Sequence, residues 1–224
     1  MRTLAIGDVH GCFDALQTVL SFVAVSPKDC VVWLGDYVDR GPDSAKVIDF
    51  LSKLPEERNS FLRGNHEIMM QNARGNLNSL RSWAACGGDA TWESYIAEFG
   101  GHEGVQAVPT AHWNFLDRLL PYFETDSHIF VHASLDSDVD LADQFEDTLF
   151  WGDFNSIGPH YSGKHTICGH TSQKAGAPVG NAHATCIDTW ACGQGWLTCL
   201  DVVAGRYYQA NQAGEVRSDW LQEA

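Results

Sequence analysis

Seven polar residues stand at or just past the ends of short apolar runs: Asp8 and His10 after residues 3–7, Asp36 after 30–34, Asn65 and His66 after 60–62, His132 after 128–131 and His170 after 165–168. Brought to one place, they offer carboxylates, imidazoles and one amide, and clustered carboxylates repel one another unless a cation compensates. A mixed oxygen and nitrogen donor set suits Mn²⁺, Fe or Zn²⁺ better than Ca²⁺, and no thiolate cluster favours a softer site. Each residue alone has a plain structural explanation: a turn at Asp-Val-His, a helix cap at Asn65, a hydrogen-bonded core histidine. Their joint placement favours a metal centre, because ligands of open α/β sheets bind outside the carboxyl ends of the strands.

The elements that must position these residues follow from hydrophobic periodicity. Residues 3–7 read as a strand, and Phe13, Leu16, Val19, Leu20 and Val23 then recur at helical spacing. The unit repeats: residues 30–34 form a strand, and Val47, Ile48, Leu51 and Leu54 mark a helix after the turn Gly41-Pro42-Asp43. A third strand at 60–62 leads into a helix over 67–73, and two such crossovers predict parallel strands. Residues 77–120 read as helices interrupted at Gly87-Gly88 and Gly100-Gly101, forming a cap or side layer. Strands are predicted at 128–131, 165–168, 184–187, 196–203 and 206–210, so an α/β half precedes a more antiparallel one. No repeat, low-complexity tract or linker marks a boundary, and one domain over residues 1–224 is expected.

Composition narrows the partners. The chain carries 29 acidic against 14 basic residues, a formal charge of −15. A polyelectrolyte grip on nucleic acid needs clustered Lys and Arg, so duplex nucleic acid is not an expected partner. No apolar run reaches the ~18 residues of a membrane helix, and no basic, cleavable leader precedes the first strand, so no membrane association is expected. Seven widely spaced cysteines without a C-x-x-C pair signal neither a disulfide framework nor structural zinc, which fits a reducing cytoplasm.

Three blocks carry a specific resemblance: Gly7-Asp8-Val9-His10-Gly11, Gly35-Asp36-Tyr37-Val38-Asp39-Arg40-Gly41 and Arg63-Gly64-Asn65-His66-Glu67, followed by His132 and Gly169-His170-Thr171. In this order they resemble the calcineurin-like metallophosphoesterases, and within them the short bacterial and phage-type phosphoprotein phosphatases. Trp83 with Gly87-Gly88, and Ile187-Asp188-Thr189, add to the likeness. The resemblance implies an α/β fold, a four-layer α/β/β/α sandwich with two mixed sheets. It implies two divalent metals sharing Asp36, the first also held by Asp8 and His10, the second by Asn65, His132 and His170. Mn is the expected ion in vitro, with Fe or Zn as alternatives. A bridging hydroxide would attack phosphorus in line, with no covalent phosphoenzyme.

The same resemblance makes His66 the general acid and Asp39 its orienting partner, with Arg40 clamping phosphate and Arg63 a second candidate by proximity. It implies hydrolysis of phosphoserine and phosphothreonine in a phosphoprotein, or of phosphotyrosine or another small phosphoester. One alternative is symmetrical hydrolysis of dinucleoside polyphosphates such as diadenosine tetraphosphate. Another, from a different class, is a metal-binding regulatory protein that has lost catalysis. Its one hint is Asp153, which stands where the phage-type enzymes place another arginine, and the intact Asp39 and His66 argue against it.

Other features have bland readings. Cys12 is expected to be a small buried residue, and Met69-Met70 to pack in the core. His102, His112, His160 and His183 are read as surface or structural, and the acidic stretch 136–147 as a solvated loop.

Overall fold

Alternation along the strands determines how the layers stack. In the computed structural model, which describes residues 1–100 and 104–222, the chain runs β1 (Thr3–Ile6), α1 (Phe13–Val23), β2 (Cys30–Trp33), α2 (Ser44–Leu51), β3 (Asn59–Phe61) and α3 (Asn65–Asn72). Next come α4 (Leu77–Trp83), a kinked turn (Ala84–Gly88) that breaks the helices at Gly87, α5 (Asp89–Phe99) and α6 (Thr110–Leu116). Then follow β4 (Tyr122–Glu124), β5 (His128–Val131), α7 (Glu146–Trp151), β6 (His165–Cys168), β7 (Val179–Gly180), β8 (Ala184–Cys186), β9 (Leu197–Asp201), β10 (Arg206–Ala210) and β11 (Val216–Trp220).

Two mixed sheets result, in the orders β11-β10-β9-β1-β2-β3 and β4-β5-β6-β8-β7. The strands β1, β2 and β3 are parallel, as are β5, β6 and β8. Successive side chains on a strand face opposite ways. Leu4 and Ile6 of β1 and Val31 and Trp33 of β2 join the core under α1 and α2. Ala5 and Val32 face the other way and meet Phe130 and Ile167 of the second sheet. Ile129, Val131 and Cys168 pack outward against Leu149 and Phe150 of α7. This is the expected α/β/β/α sandwich, and burial on both faces explains why these strands read as near-continuous apolar runs.

The differences from the periodicity reading have local causes. The third helix begins at Asn65 instead of 67, because Gly64 takes the N-cap position and Glu67 bonds back to the Gly64 N–H. The acidic stretch is not all loop: Glu146 and Asp147 open α7, where carboxylates complement the helix dipole. The edge strand β11, Val-Arg-Ser-Asp-Trp, is largely exposed and has no apolar face to betray it. Met70 and Cys12 are core residues, and His112 and His160 are buried and hydrogen bonded, all as expected. His183 is exposed, whereas Gly101 and His102 lie outside the described residues. No helix among those described is long and apolar enough to cross a membrane.

Candidate metal centre

All six parallel strands deliver their carboxyl ends to one edge, three from each sheet. Asp8 and His10 follow β1, Asp36 follows β2, and Asn65 and His66 open α3 just after β3. His132 follows β5, His170 follows β6, and Asp188 follows β8. All eight side chains are buried or nearly so.

Asp36 lies at the middle. Its Oδ2 is 3.5 Å from His10 Nε2 and 3.9 Å from His66 Nε2, and its Oδ1 is 3.4 Å from His132 Nε2. Two groups of candidate ligand atoms therefore share Asp36: one with His10 and His66, the other with His132 and His170. Asn65 Oδ1 joins the second, 3.1 Å from His132 Nε2 and 3.2 Å from His170 Nδ1. Asp8 adjoins by another route, accepting the His170 backbone N–H at 3.2 and 3.1 Å. Gly169 permits that approach, because a side chain there would run into the Asp8 carboxylate.

The hydrogen bonds set the imidazole tautomers. His10 Nδ1–H donates to the Val38 carbonyl at 2.9 Å and His132 Nδ1–H to the Leu34 carbonyl at 2.8 Å, which leaves both Nε2 lone pairs facing inward. The His132 lone pair then faces the Asn65 carbonyl oxygen, an arrangement of two acceptors that a cation between them satisfies. Arg40 already sets positive charge against the other group, with its Nη1 2.6 Å from His10 Nε2. Burial holds His10 down to about 3 and, helped by His132, His170 down to about 4, so both are neutral donors at pH 7. Burial raises Asp8 well above the usual carboxylate range, reinforced by the charges of Asp188 and Asp36. Asp36 ends below that range, because the surrounding imidazoles outweigh its burial. Crowded carboxylates beside inward lone pairs are the donor set that a divalent cation fits.

His66 is held differently. Its Nδ1–H donates to Asp39 Oδ2 at 2.6 Å, which turns Nε2 toward Asp36. Burial alone would depress this imidazole, but Asp36 and Asp39 together carry it above the ordinary histidine value. Burial also raises Asp39, yet Trp83 and Thr91 donate to it alongside His66, and three donors favour the ionised acceptor. Arg40 is exposed at the rim, where a planar guanidinium can take two phosphate oxygens. Arg63 stacks its guanidinium 5.5 Å from the Phe150 ring and makes no contact with the group around Asp36 among the bonds described. The Asp153 side chain caps the turn Phe154–Ser156, accepting from Asn155 N and Nδ2 at 2.7 Å each.

These features decide the family. A model of the calcineurin-like phosphoesterase family matches residues 1–174. The chain belongs to this family. Among curated relatives it is 33% identical over 156 residues to the symmetrical bis(5'-nucleosyl)-tetraphosphatase of Legionella pneumophila, covering 66% of this chain and 52% of that protein. The chain thus spans about half the length of such relatives. It is 30% identical over 204 residues to serine/threonine-protein phosphatase 1 of Salmonella typhimurium, covering 86% of this chain and 88% of that one. A cold-active protein-tyrosine phosphatase from a psychrophilic Shewanella shares the fold, with a TM-score of 0.63 at 16% identity over 97% of this chain and 80% of the other. Phosphoester hydrolysis with divalent metal is the activity of this family.

Three residues beyond the expected ligands and catalytic groups contribute to the site. Glu67, fully buried, accepts the backbone N–H groups of Asp36, Tyr37 and Gly64 at 2.9, 2.7 and 2.9 Å, tying the β2 loop to the start of α3. Burial and the Asp36 charge push it up to about 8 against those donors. Asp188, held by Ser172 Oγ and the Trp190 N–H, adds its charge behind Asp8. Thr91 contacts Asp39 from α5. The capping-box spacing from Gly64 was the available signal for Glu67, whereas Thr91 had none.

Proposed function

We propose that this chain is a metal-dependent phosphomonoesterase acting on phosphoserine, phosphothreonine or phosphotyrosine in proteins. The observation that carries this reading is the His66–Asp39 pair, a proton donor aimed at the shared carboxylate. Two divalent ions, Mn²⁺ in vitro with Fe or Zn as alternatives, would be held with Asp36 in common, Asp8 and His10 on one side and Asn65, His132 and His170 on the other. When bound, they supply a water activated for attack and neutralise charge on the phosphoryl oxygens. The residues do the rest. Arg40 grips two phosphate oxygens, with Arg63 a further anchor beyond it. His66 Nε2–H passes its proton to the leaving oxygen while Asp39 stabilises the imidazolium and fixes the ring.

An alkoxide leaves poorly without that proton, whereas a nucleoside diphosphate departs as a stable anion. The near end-to-end match to the Salmonella phosphatase supports the same choice. Residues 119–163, which contain His132, hold nine acidic residues and no Lys or Arg, a field unfavourable to a polyphosphate. The likeness to the Legionella enzyme favours a second reading, cleavage of dinucleoside tetraphosphates. A metal-binding protein without catalysis is disfavoured, since Asp153, its one hint, serves as a turn cap.

Comparing kcat/KM for a phosphopeptide, p-nitrophenyl phosphate and diadenosine tetraphosphate with Mn²⁺, Zn²⁺, Ni²⁺, Co²⁺ or Fe²⁺ tests the choice. A phosphopeptide preference is expected, and a large nucleotide preference would reverse it. His66→Asn should fold and retain metal but lose about 10²–10⁴-fold in turnover of the phosphopeptide. Undiminished turnover would remove the proton-donor role.

A further inference from the structure

A buried hydrogen-bond chain leaves the site through Asp39 and enters the helices beside it. Trp83, at the end of α4 and 1% exposed, donates its indole N–H to both Asp39 oxygens, at 3.0 and 2.8 Å. Thr91, in the first turn of α5 and fully buried, gives its hydroxyl to Asp39 Oδ1 at 2.7 Å. The same oxygen, Thr91 Oγ1, accepts the Asp39 backbone N–H at 2.7 Å and lies 2.8 Å from Ser44 Oγ. Asp39 is thereby gripped at its main chain and at both carboxylate oxygens.

The connection between α4 and α5 is shaped around these contacts. It is a kink between the two helices, made at Gly87, whose φ of 104° and ψ of 9° are not helical and favour glycine. A side chain on Gly88 would collide with the Trp83 indole, so glycine is what lets the ring seat itself there. The preceding residue, Gly87, accepts the Arg40 backbone N–H at 3.0 Å. One five-residue turn therefore braces both Arg40, through its main chain, and the partner of His66, through Trp83.

We propose that Trp83 and Thr91 are positioning residues for proton donation: they fix the Asp39 carboxylate, and through it the direction in which His66 Nε2 faces. This rests on the proton-donor reading of His66 above. With either of these donors gone, the Asp39 carboxylate is less firmly held about its own side-chain torsion, and the imidazole that follows it strays from the line to the departing oxygen. Functional groups need their supporting contacts to hold them within about 10–20° of productive geometry. A purely structural role for Trp83 and Thr91 predicts something else, namely equal losses on every substrate.

The experiment uses leaving groups of different basicity. Trp83→Phe removes the N–H while leaving an aromatic ring, and Thr91→Val removes the hydroxyl at nearly constant shape. Both are assayed on a phosphoserine peptide, whose alkoxide needs the proton, and on p-nitrophenyl phosphate, whose leaving group departs readily without it. Bound metal and melting temperature are measured on the same samples, with His66→Asn alongside. Trp83→Phe and Thr91→Val are each expected to lose about 10- to 100-fold in kcat on the phosphoserine peptide and less than about threefold on p-nitrophenyl phosphate, with metal content unchanged. Equal loss on both esters, or no loss on either, overturns the proposal. If Trp83→Phe does not fold, Thr91→Val decides alone. If His66→Asn discriminates between the esters and the folded variants do not, the positioning role falls by itself. If His66→Asn does not discriminate, the proton-donor reading falls and this one with it.

Discussion

Glu67 shows how a residue can govern a metal site without supplying a ligand. Both its oxygens are taken by main-chain N–H groups on the loop that carries Asp36 and at the cap of the helix that carries Asn65. In Glu67→Gln an amide N–H₂ must face one of those N–H donors, leaving a buried donor pair unsatisfied, a contrast fully expressed above about pH 8, where the native carboxyl is ionised. We expect a loss of about 1–3 kcal/mol in stability, read from the denaturant midpoint, together with weaker metal retention in a chelator competition. Wild-type behaviour in both assays would show that the clamp carries no weight. The ligand candidates were legible in the sequence because each follows its own strand, so residue type and element boundary appear together. Trp83 stood out through the family likeness without a role, and Thr91 not at all: they meet Asp39 from 44 and 52 residues away, and contacts of that range leave no local periodicity.

At the scale of elements, strands buried on both faces were legible and exposed ones were not. β1 and β2 read as apolar runs because helices cover one face and the second sheet covers the other, while the two-residue β7 and the polar β11 offered no periodicity to detect. The backbone at the loop tips was hidden as well. Among the described residues seven non-glycine positions have positive φ, and five of these are His10, Asp36, Asp39, Arg40 and His170. Such conformations cost on the order of 1–3 kcal/mol each and persist only where the surroundings impose them. The opposite ends of β1 and β2 are pinned by a different device. The Asp29 carboxylate accepts Arg2 Nη2 at 2.6 Å, the Ser26 N–H at 3.0 Å, the Ser26 hydroxyl at 3.0 Å and the Arg2 N–H at 3.1 Å. Its bond to Arg2 and those to Ser26 hold it well below the ordinary carboxylate range despite burial. A carboxylate with a depressed folded pKa contributes stability that is full above its unfolded value of about 3.9 and is lost as pH falls toward the folded one. Urea midpoints should therefore drop more steeply between pH 5 and about pH 3 for the wild type than for Asp29→Asn. Parallel pH profiles would deny Asp29 that role.

Across the whole molecule, the candidate centre joins the two sheets at one edge of the apolar layer packed between them. Asp8, His10, Asp36 and Asn65 come from the strands of the first sheet, and His132 and His170 from those of the second. A cation bound between these sets is a tie across the sandwich, and it relieves the repulsion that raises Asp8 beside Asp36 and Asp188. Metal that binds only the folded chain stabilises it by about 2.7 kcal/mol at a free concentration one hundred times its Kd. For a chain of this length each kcal/mol moves the melting temperature by roughly 2–4 °C, so saturating Mn²⁺ should raise it by about 5–10 °C over the chelated protein. In Asp36→Asn, which removes the shared carboxylate, that increment should nearly vanish, although the metal-free variant need not be less stable than the metal-free wild type, since a crowded negative charge has gone. Melting curves of both proteins with Mn²⁺ and with EDTA separate the two effects. A full metal-dependent rise in Asp36→Asn would mean that the ions do not share this residue, and that the sheets are held together at this edge by the other ligands alone.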